Sequence, residues 1–320
     1  MWFNLLIWLT NESEDGILFF YAKIIMKSVA ILTDSNSGIT QAEGKELGIK
    51  VIPMPFTIDG EEYLEDINLT QEQFYEKLVG GANVSTSQPS VGLVTSVWDE
   101  LLAEYETVVY IPMSSGLSKS CESALAAAKA NYEGKVFVVD NQRISVTQRQ
   151  SVLDAIELAD KGYSGKEIHD ILMEVKFQST IYIMVDTLKY LKKGGRITPA
   201  AAAVGGLLKI KPILTIQGFK LDKFRMLNRT LENAKRIMLQ QCIEDINTRL
   251  KDIDGRADNV HLEVAYSGVD KTQALEFVKM IQKEFPDKEI VCQPLSLSVS
   301  CHIGTGALAM AVTKALPANL

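Results

Sequence analysis

Short β-branched runs alternate with segments of helical period along most of the 320 residues, and that alternation restricts the fold more than any other feature. Residues 29–34 form a short apolar strand that exits into Ser35-Asn36-Ser37-Gly38; a helix over 40–47 follows, stopped by Gly48. A second strand covers 49–54, with Pro53 and Pro55 at its exit. Residues 56–63 hold Asp59-Gly60 between apolar runs and read as a hairpin. Thr70-Gln71-Glu72-Gln73 is a capping box that opens a helix ending before Gly80-Gly81. Helix 91–105 puts Leu93, Val94, Val97, Leu101 and Leu102 on one face. Strand 107–111, an alanine-rich helix over 118–131, strand 135–139 and helices over 145–161 and 164–176 come next. This βαβα succession implies a Rossmann-like parallel sheet with helices on both faces, whose ligands sit beyond the carboxyl ends of the strands.

The pattern changes after residue 177. Strand 181–185, a helical turn at 188–191 and the basic glycine loop Lys192-Lys193-Gly194-Gly195-Arg196-Ile197 lead into a small apolar run at 199–206. Residues 211–216 and 223–227 flank Gln217-Gly218 and read as an antiparallel pair. Helix 230–251, strand 261–266, helix 270–285, strand 289–292 and a final helix over 304–315 complete the reading. The expected architecture is therefore α/β in two domains. A parallel-sheet domain covers 26–177 and a second α/β domain with a mixed sheet covers 178–320. No low-complexity linker separates them, so they should pack tightly, with a ligand cleft between.

Residues 1–25 stand apart. Two apolar patches, 2–9 and 17–25, are split by Asn11-Glu12-Ser13-Glu14-Asp15, and neither reaches the roughly 20 apolar residues of a membrane-spanning helix. Basic residues at the front and a small-residue cleavage site, the marks of a secretory signal, are missing. The expectation is an extension outside the native fold, from a start assigned upstream of the Met26-Lys27 that opens the first clean strand. An extra element capping the fold is the alternative. The net charge of −7 and the lack of a long basic run argue against nucleic acid as a partner. Four cysteines (Cys121, Cys242, Cys292, Cys301) form no CxxC, which suits reduced thiols in a cytoplasmic protein. No Asp/His/Glu grouping has metal-ligand spacing, so neither metal nor cofactor is expected.

Three polar loops carry the functional signal: Ser85-Thr86-Ser87-Gln88-Pro89-Ser90, Met113-Ser114-Ser115-Gly116-Leu117-Ser118, and residues 298–306 with Ser298, Ser300, His302 and Thr305. Each is read as joining a strand to a helix. Hydroxyls and free N–H groups at helix starts can hold an anion such as a carboxylate or phosphate. The plain competitor is that these hydroxyls are N-caps. His169 and His261 read as structural, and Lys192-Lys193 as a solvated loop.

The ordered set Thr86-Ser87-Gln88-Pro89-Ser90, Ser114-Ser115-Gly116-Leu117-Ser118, Gly194-Gly195-Arg196-Ile197 and His302-Ile303-Gly304-Thr305-Gly306-Ala307-Leu308 resembles the DegV family, as does Asp34-Ser35 after the first strand. The resemblance covers residues 26–316. It implies a lipid-binding protein of two α/β domains with an acyl chain in a buried tunnel. It also implies a carboxylate held by hydroxyls and a histidine, and a separate kinase subunit that phosphorylates that carboxylate. Residue by residue, Thr86 and Ser118 are then the carboxylate hydroxyls, and Ser87, Ser114 and Ser115 their neighbours. His302, with Ile303, stands in the His-Ile-Gly motif, and Arg196 in the Gly-Arg-Ile motif, facing phosphate or a partner. Three positions depart from the family pattern: Lys119-Ser120 where Gly-Thr is usual, Thr305 for Pro, and Ala309 for Gly.

Energetics suit a fatty acid. A buried methylene is worth roughly 0.8 kcal/mol, so a palmitate-length chain of about 14 gains on the order of 10 kcal/mol before the costs of binding. Two function classes stay open: a non-catalytic carrier of a long-chain fatty acid, and an enzyme using Ser118 or Ser115 as nucleophile with His302 as base. Against the enzyme, there is no Gly-x-Ser-x-Gly elbow and no third residue to orient the histidine. Nucleotide fingerprints are missing too, so ATP would come from a partner.

Overall fold

The fold comes from a computed structural model that describes residues 6–12, 18–24, 27–203, 210–216, 220–226, 228–251, 257–318 and 320. Residues 6–9 of the first N-terminal apolar patch fall on β1 (Leu6–Glu12) and 18–24 of the second on β2 (Leu18–Ile24), which pair with each other antiparallel; the rest of both patches lies outside the described residues. Then follow β3 (Lys27–Asp34), α1 (Gln41–Glu46), β4 (Lys50–Ile52), β5 (Pro55–Ile58), β6 (Glu61–Leu64), α2 (Gln71–Val79) and β7 (Val84–Thr86). The first half closes with α3 (Val91–Leu102), β8 (Tyr105–Ile111), α4 (Ser120–Asn131), β9 (Val136–Val138), α5 (Val146–Asp160) and α6 (Gly165–Glu174).

Strands β4-β3-β8-β9 form an all-parallel sheet in that order. Its central runs are apolar because both faces are covered: Leu32, Val108, Val109, Tyr110 and Ile111 are fully buried. The helices start where the sequence says they should. Thr70 and Gln73 complete a capping box on α2, Ser164 and Glu167 do so on α6, and Ser90 accepts from the Leu93 N–H at the start of α3. One expectation fails here. Thr86, read with the other polar loops as following a strand of the parallel sheet, does not leave that sheet. β7 is an edge strand of a separate antiparallel sheet, β6-β5-β7, in which Thr86 pairs with Phe56. The hairpin read at Asp59-Gly60 recruits β7 as a third strand, since an isolated two-stranded hairpin is barely stable in water.

The second half contains β10 (Ser179–Met184), α7 (Lys189–Gly194), α8 (Pro199–Ala202), β11 (Ile213–Thr215), β12 (Asp222–Arg225), α9 (Leu231–Asn247), β13 (Val260–Tyr266), α10 (Thr272–Glu284), β14 (Ile290–Pro294), α11 (Leu297–Ile303) and β15 (Leu308–Lys314). Its mixed sheet has the order β12-β11-β10-β15-β13-β14, with β13–β14 its parallel pair. The antiparallel pairing of β11 and β12 is as read, while Gln217-Gly218, Leu227 and residues 204–206 lie outside the described residues.

The final helix expected over 304–315 is instead a strand, and the loop before it is partly the helix α11. Ala307 to Val312 looks helical from its alanines, but it is buried on both faces in mid-sheet, where a strand reads as a continuous apolar run.

The halves share their core. Met54, Met113, Leu117 and Val146 from the first pack in one buried cluster with Ile183, Leu191, Ala265 and Ile303 from the second. α5 touches the parallel sheet and the mixed sheet. Helix α11 inserts Leu297 and Cys301 among Phe56, Ile58, Phe74 and Val84 of the first half. All four thiols are unpaired. Among the described residues no helix is long and apolar enough to cross a membrane, and no group of three or more His, Cys, Asp or Glu is placed to hold a metal.

Candidate functional site

A cavity of about 270 Å³ lies between the halves, where the exits of β3, β7 and β8 meet α7 and α11. Its position follows from a buried carboxylate. Asp34, at the end of β3, accepts from the Asn36 N–H at 3.0 Å, the Met113 N–H at 2.9 Å and Gln148 Nε2 at 3.1 Å. These bonds tie the two strand exits together, although full burial still raises the Asp34 pKa. Apolar walls come from Met54, Met113, Leu117, Ile144, Leu191, Leu221, Val299 and Ile303. The polar lining is Asn36, Thr86, Ser87, Gln88, Ser118, Lys119, Arg196, Ser298 and His302. Two of these are cationic and none is acidic, a balance that suits an anion with an apolar tail.

Thr86 and His302 meet directly, Oγ1 to Nε2 at 2.9 Å, across 216 residues of sequence. β7 supplies the threonine, and the last turn of α11 supplies the histidine. Burial first, and the Arg196 cation second, push the His302 pKa down to about 4, so the ring is neutral at pH 7. The other face of the ring is set by Gly194, the last residue of α7. A Cβ there would stand 2.1 Å from His302 Nδ1.

Arg196 follows Gly195, which ends α7 in the left-handed conformation at φ +68°. Its guanidinium turns inward. Nε donates to the Leu117 carbonyl at 3.1 Å, and Nη1 donates to the Gly194 carbonyl. Arg196 thus clamps the glycine turn of one half to the serine loop of the other, and places a positive charge beside Ser118. The Ser118 hydroxyl accepts from the Ser120 N–H at 3.2 Å and keeps its proton for a further partner. Lys119 is mostly exposed and pairs with Glu122 at 2.7 Å, at the cavity rim.

The remaining expected residues divide. Ser87 and Ile303 line the cavity. Ser114 and Ser115 do not. Ser114 is fully buried and its hydroxyl accepts from the Gly116 N–H, while the Ser115 N–H donates to Asp140. Both shape the loop that presents Ser118. Three lining residues were given no ligand role in the sequence: Asn36, Gln88 and Ser298. Gln88 stands in the Thr86 loop and Ser298 begins the third loop, so proximity to the motifs was a usable signal; for Asn36 none was, beyond its place after Asp34.

Comparison with known proteins places these residues in a family. Residues 28–315 match a family model described as "Uncharacterised protein, DegV family". The chain is 30% identical over 283 residues to Protein DegV of Bacillus subtilis, covering 88% of this chain and 97% of that one. Among solved structures it resembles one described as fatty acid binding of a DegV family protein from Thermus thermophilus, with TM-score 0.79 and 27% identity over 90% of this chain and 99% of that one. It also resembles the structure described as DegV, a fatty acid binding protein from Bacillus subtilis, with TM-score 0.78 and 28% identity over 91% of this chain and all of that one. The motifs, the α/β architecture and the match across nearly the whole length agree: the chain belongs to the DegV family.

Proposed function

We propose that this protein binds one long-chain fatty acid in the cavity and presents its carboxylate to a separate ATP-dependent kinase subunit. The observation that carries the reading is the Thr86–His302 pair at a cavity with apolar walls and no acidic residue in its lining. Neutral His302 donates from Nε2 to Thr86 Oγ1, which frees the threonine proton for one carboxylate oxygen. Ser118 donates to the same head group. Arg196, already committed to two carbonyls, lends a field rather than a tight ion pair. The Thermus and Bacillus relatives, described as fatty acid binding, share this architecture.

Hydroxyl donors leave the carboxylate a nucleophile. In the proposed transfer, a carboxylate oxygen attacks the γ-phosphorus of ATP held by the kinase subunit. The bond from that phosphorus to ADP breaks, and an acyl phosphate forms. The carrier needs no catalytic residue, no cofactor and no metal of its own for this. The competing hydrolase reading wants a serine on His302 and a carboxylate behind it; Thr86 occupies the one side and the Gly194 backbone the other.

Native mass spectrometry of purified protein, with denaturing extraction of whatever co-purifies, tests the reading. A stoichiometric long-chain fatty acid that disappears in a Thr86→Ala/Ser118→Ala double variant is the expected result. An empty protein that also fails to take up palmitate or oleate refutes it. ATP alone and a generic ester should both be left unturned.

A further inference from the structure

Helix α11 carries His302, yet it is held in place from the first half of the molecule. Gln71, which opens α2, donates from Nε2 to the Leu295 carbonyl at 3.3 Å, just before α11. One turn further along α2, Tyr75 OH meets Ser300 Oγ at 2.8 Å. Gln71 Nε2 also donates to Glu65 Oε1 at 3.1 Å. Glu65 is 7% exposed, and no cation pairs with it among the described residues. Its second oxygen, Oε2, and the Gln71 carbonyl oxygen, Oε1, are both buried, and neither has a donor among the described residues. The Leu295 carbonyl fixes which way the amide points, since only the NH2 end can serve it. Two buried acceptors, on side chains that already share one hydrogen bond, thus lack the same thing: a proton. A carboxylate cannot supply it, because it only accepts; a carboxylic acid brings an O–H.

We propose that Glu65 is a carboxylic acid in the native protein, giving its proton to Gln71 Oε1, and that it is a positioning residue that seats α11 and with it His302. Glu65 is not among the residues lining the cavity, so it acts through the helix alone. Burial is the largest influence on the group and lifts its pKa to about 8, against the opposing pull of the Leu297 N–H and of Gln71. The Asp66 carboxylate beside it pushes the same way as burial. Tyr75 on α2 and Cys301 on α11 also lie close enough to feel its charge, and each keeps its proton to about pH 12. Lys193 of α7 acts on Cys301. The acid is therefore the form present at pH 7, and it is lost as pH rises through about 8. Ionisation leaves Gln71 Oε1 stranded against a buried charge. The start of α11 then loosens, and His302 in its last turn shifts against Thr86, 2.9 Å away. This inference rests on the fatty-acid reading above and adds a residue that positions its head-group site.

The test has a lipid-free and a lipid readout, both on the full-length protein. His302 is neutral in this range, its own pKa being about 4, so its ring signals in an NMR titration move near pH 8 only if the seat of the ring moves. In wild type they should shift with a midpoint at the Glu65 pKa of about 8. Palmitate affinity should fall about tenfold between about pH 7 and about pH 9.5, the worth of one hydrogen bond to the head group. Glu65→Gln, whose NH2 replaces the O–H and does not titrate, should abolish both changes and bind palmitate throughout as wild type does at pH 7. Glu65→Leu should bind at every pH as weakly as wild type does at the alkaline end. A wild type that is flat in both readouts overturns the inference even if the variants fail to fold. So does an alkaline fall that Glu65→Gln retains, which would assign it to another buried acid such as Glu263, whose pKa is also lifted to about 8. Failure of wild type to take up palmitate at any pH would instead refute the fatty-acid reading itself, and the ring signals would still decide the role of Glu65.

Discussion

Gly194→Ala is the sharpest perturbation of the site, because two effects of known size oppose each other there. Gly194 closes α7 without a left-handed φ, so an alanine should be welcome; helix propensity alone favours it by about 1 kcal/mol. The His302 ring forbids it. An added Cβ would lie 2.1 Å from Nδ1 and 2.7 Å from Cε1, whereas ordinary contact begins near 3.4 Å. The ring must recede by more than 1 Å, and the 2.9 Å bond from Nε2 to Thr86 Oγ1 cannot follow it. Overpacking of this kind costs about 1–3 kcal/mol, and the broken bond about 1 kcal/mol more. The variant should lose about 1–3 kcal/mol of stability in urea unfolding, net of the propensity gain, and about tenfold or more in palmitate affinity. Gly195→Asn is the control: it sits at φ +68° with nothing within 4 Å of its Cβ position, and asparagine tolerates that conformation. If Gly194→Ala proved as stable as wild type and bound palmitate normally, the assigned seat of His302 would be wrong.

Three other outcomes follow from the same geometry. The His302 pKa, pushed down to about 4 by burial and then by Arg196, means the unfolded chain takes up a proton between about pH 6.5 and pH 4 that the native protein refuses. Stability should fall by on the order of 3 kcal/mol as pH drops through that window, and Arg196→Met should raise the pKa seen by NMR titration of the ring. Glu65 shows the opposite sign. Burial lifts its pKa to about 8, so its protonated form supports the fold below pH 4.5 and that support is lost as pH rises through 8. Glu65→Gln should remove on the order of 5 kcal/mol of pH dependence from denaturation curves across that range. Finally, Thr86→Lys should bind palmitate yet yield far less acyl phosphate with the kinase subunit, since an ammonium quenches the attacking oxygen; acyl phosphate formation at the wild-type rate would remove hydroxyl donors from the mechanism.

Much of this was legible because local chemistry and the global fold agreed. Capping boxes at Thr70 and Ser164 start helices wherever the chain is placed, and β-branched runs such as 107–111 stay strands because both faces are covered. The order of the loop motifs brought Thr86, Ser118, Arg196 and His302 to one cavity. What local reading could not supply was long-range pairing. Nothing within residues 307–312 says that their alanines will lie between β10 and β13 rather than wind into a helix. Nothing near Thr86 says that β7 will join the hairpin of β5 and β6. Asn36 was missed for a similar reason: its partners Ser296 and Ser298 are some 260 residues away, and only packing of the two halves brings them within reach.

The place of β15 bears on how the protein is made. It follows every other strand of its sheet in chain order, yet it lies between β10 and β13 and pairs with both. Until it emerges from the ribosome, β10 and β13 have open edges facing each other across a gap, and no shorter nascent chain can close that sheet. Residue 302 precedes the strand by only a few positions, so the histidine is seated at nearly the same moment. During synthesis the cavity therefore stays unfinished until β15 is added, and a chain cut short between Tyr266 and Leu308 should leave an aggregating remnant with the edges of β10 and β13 open.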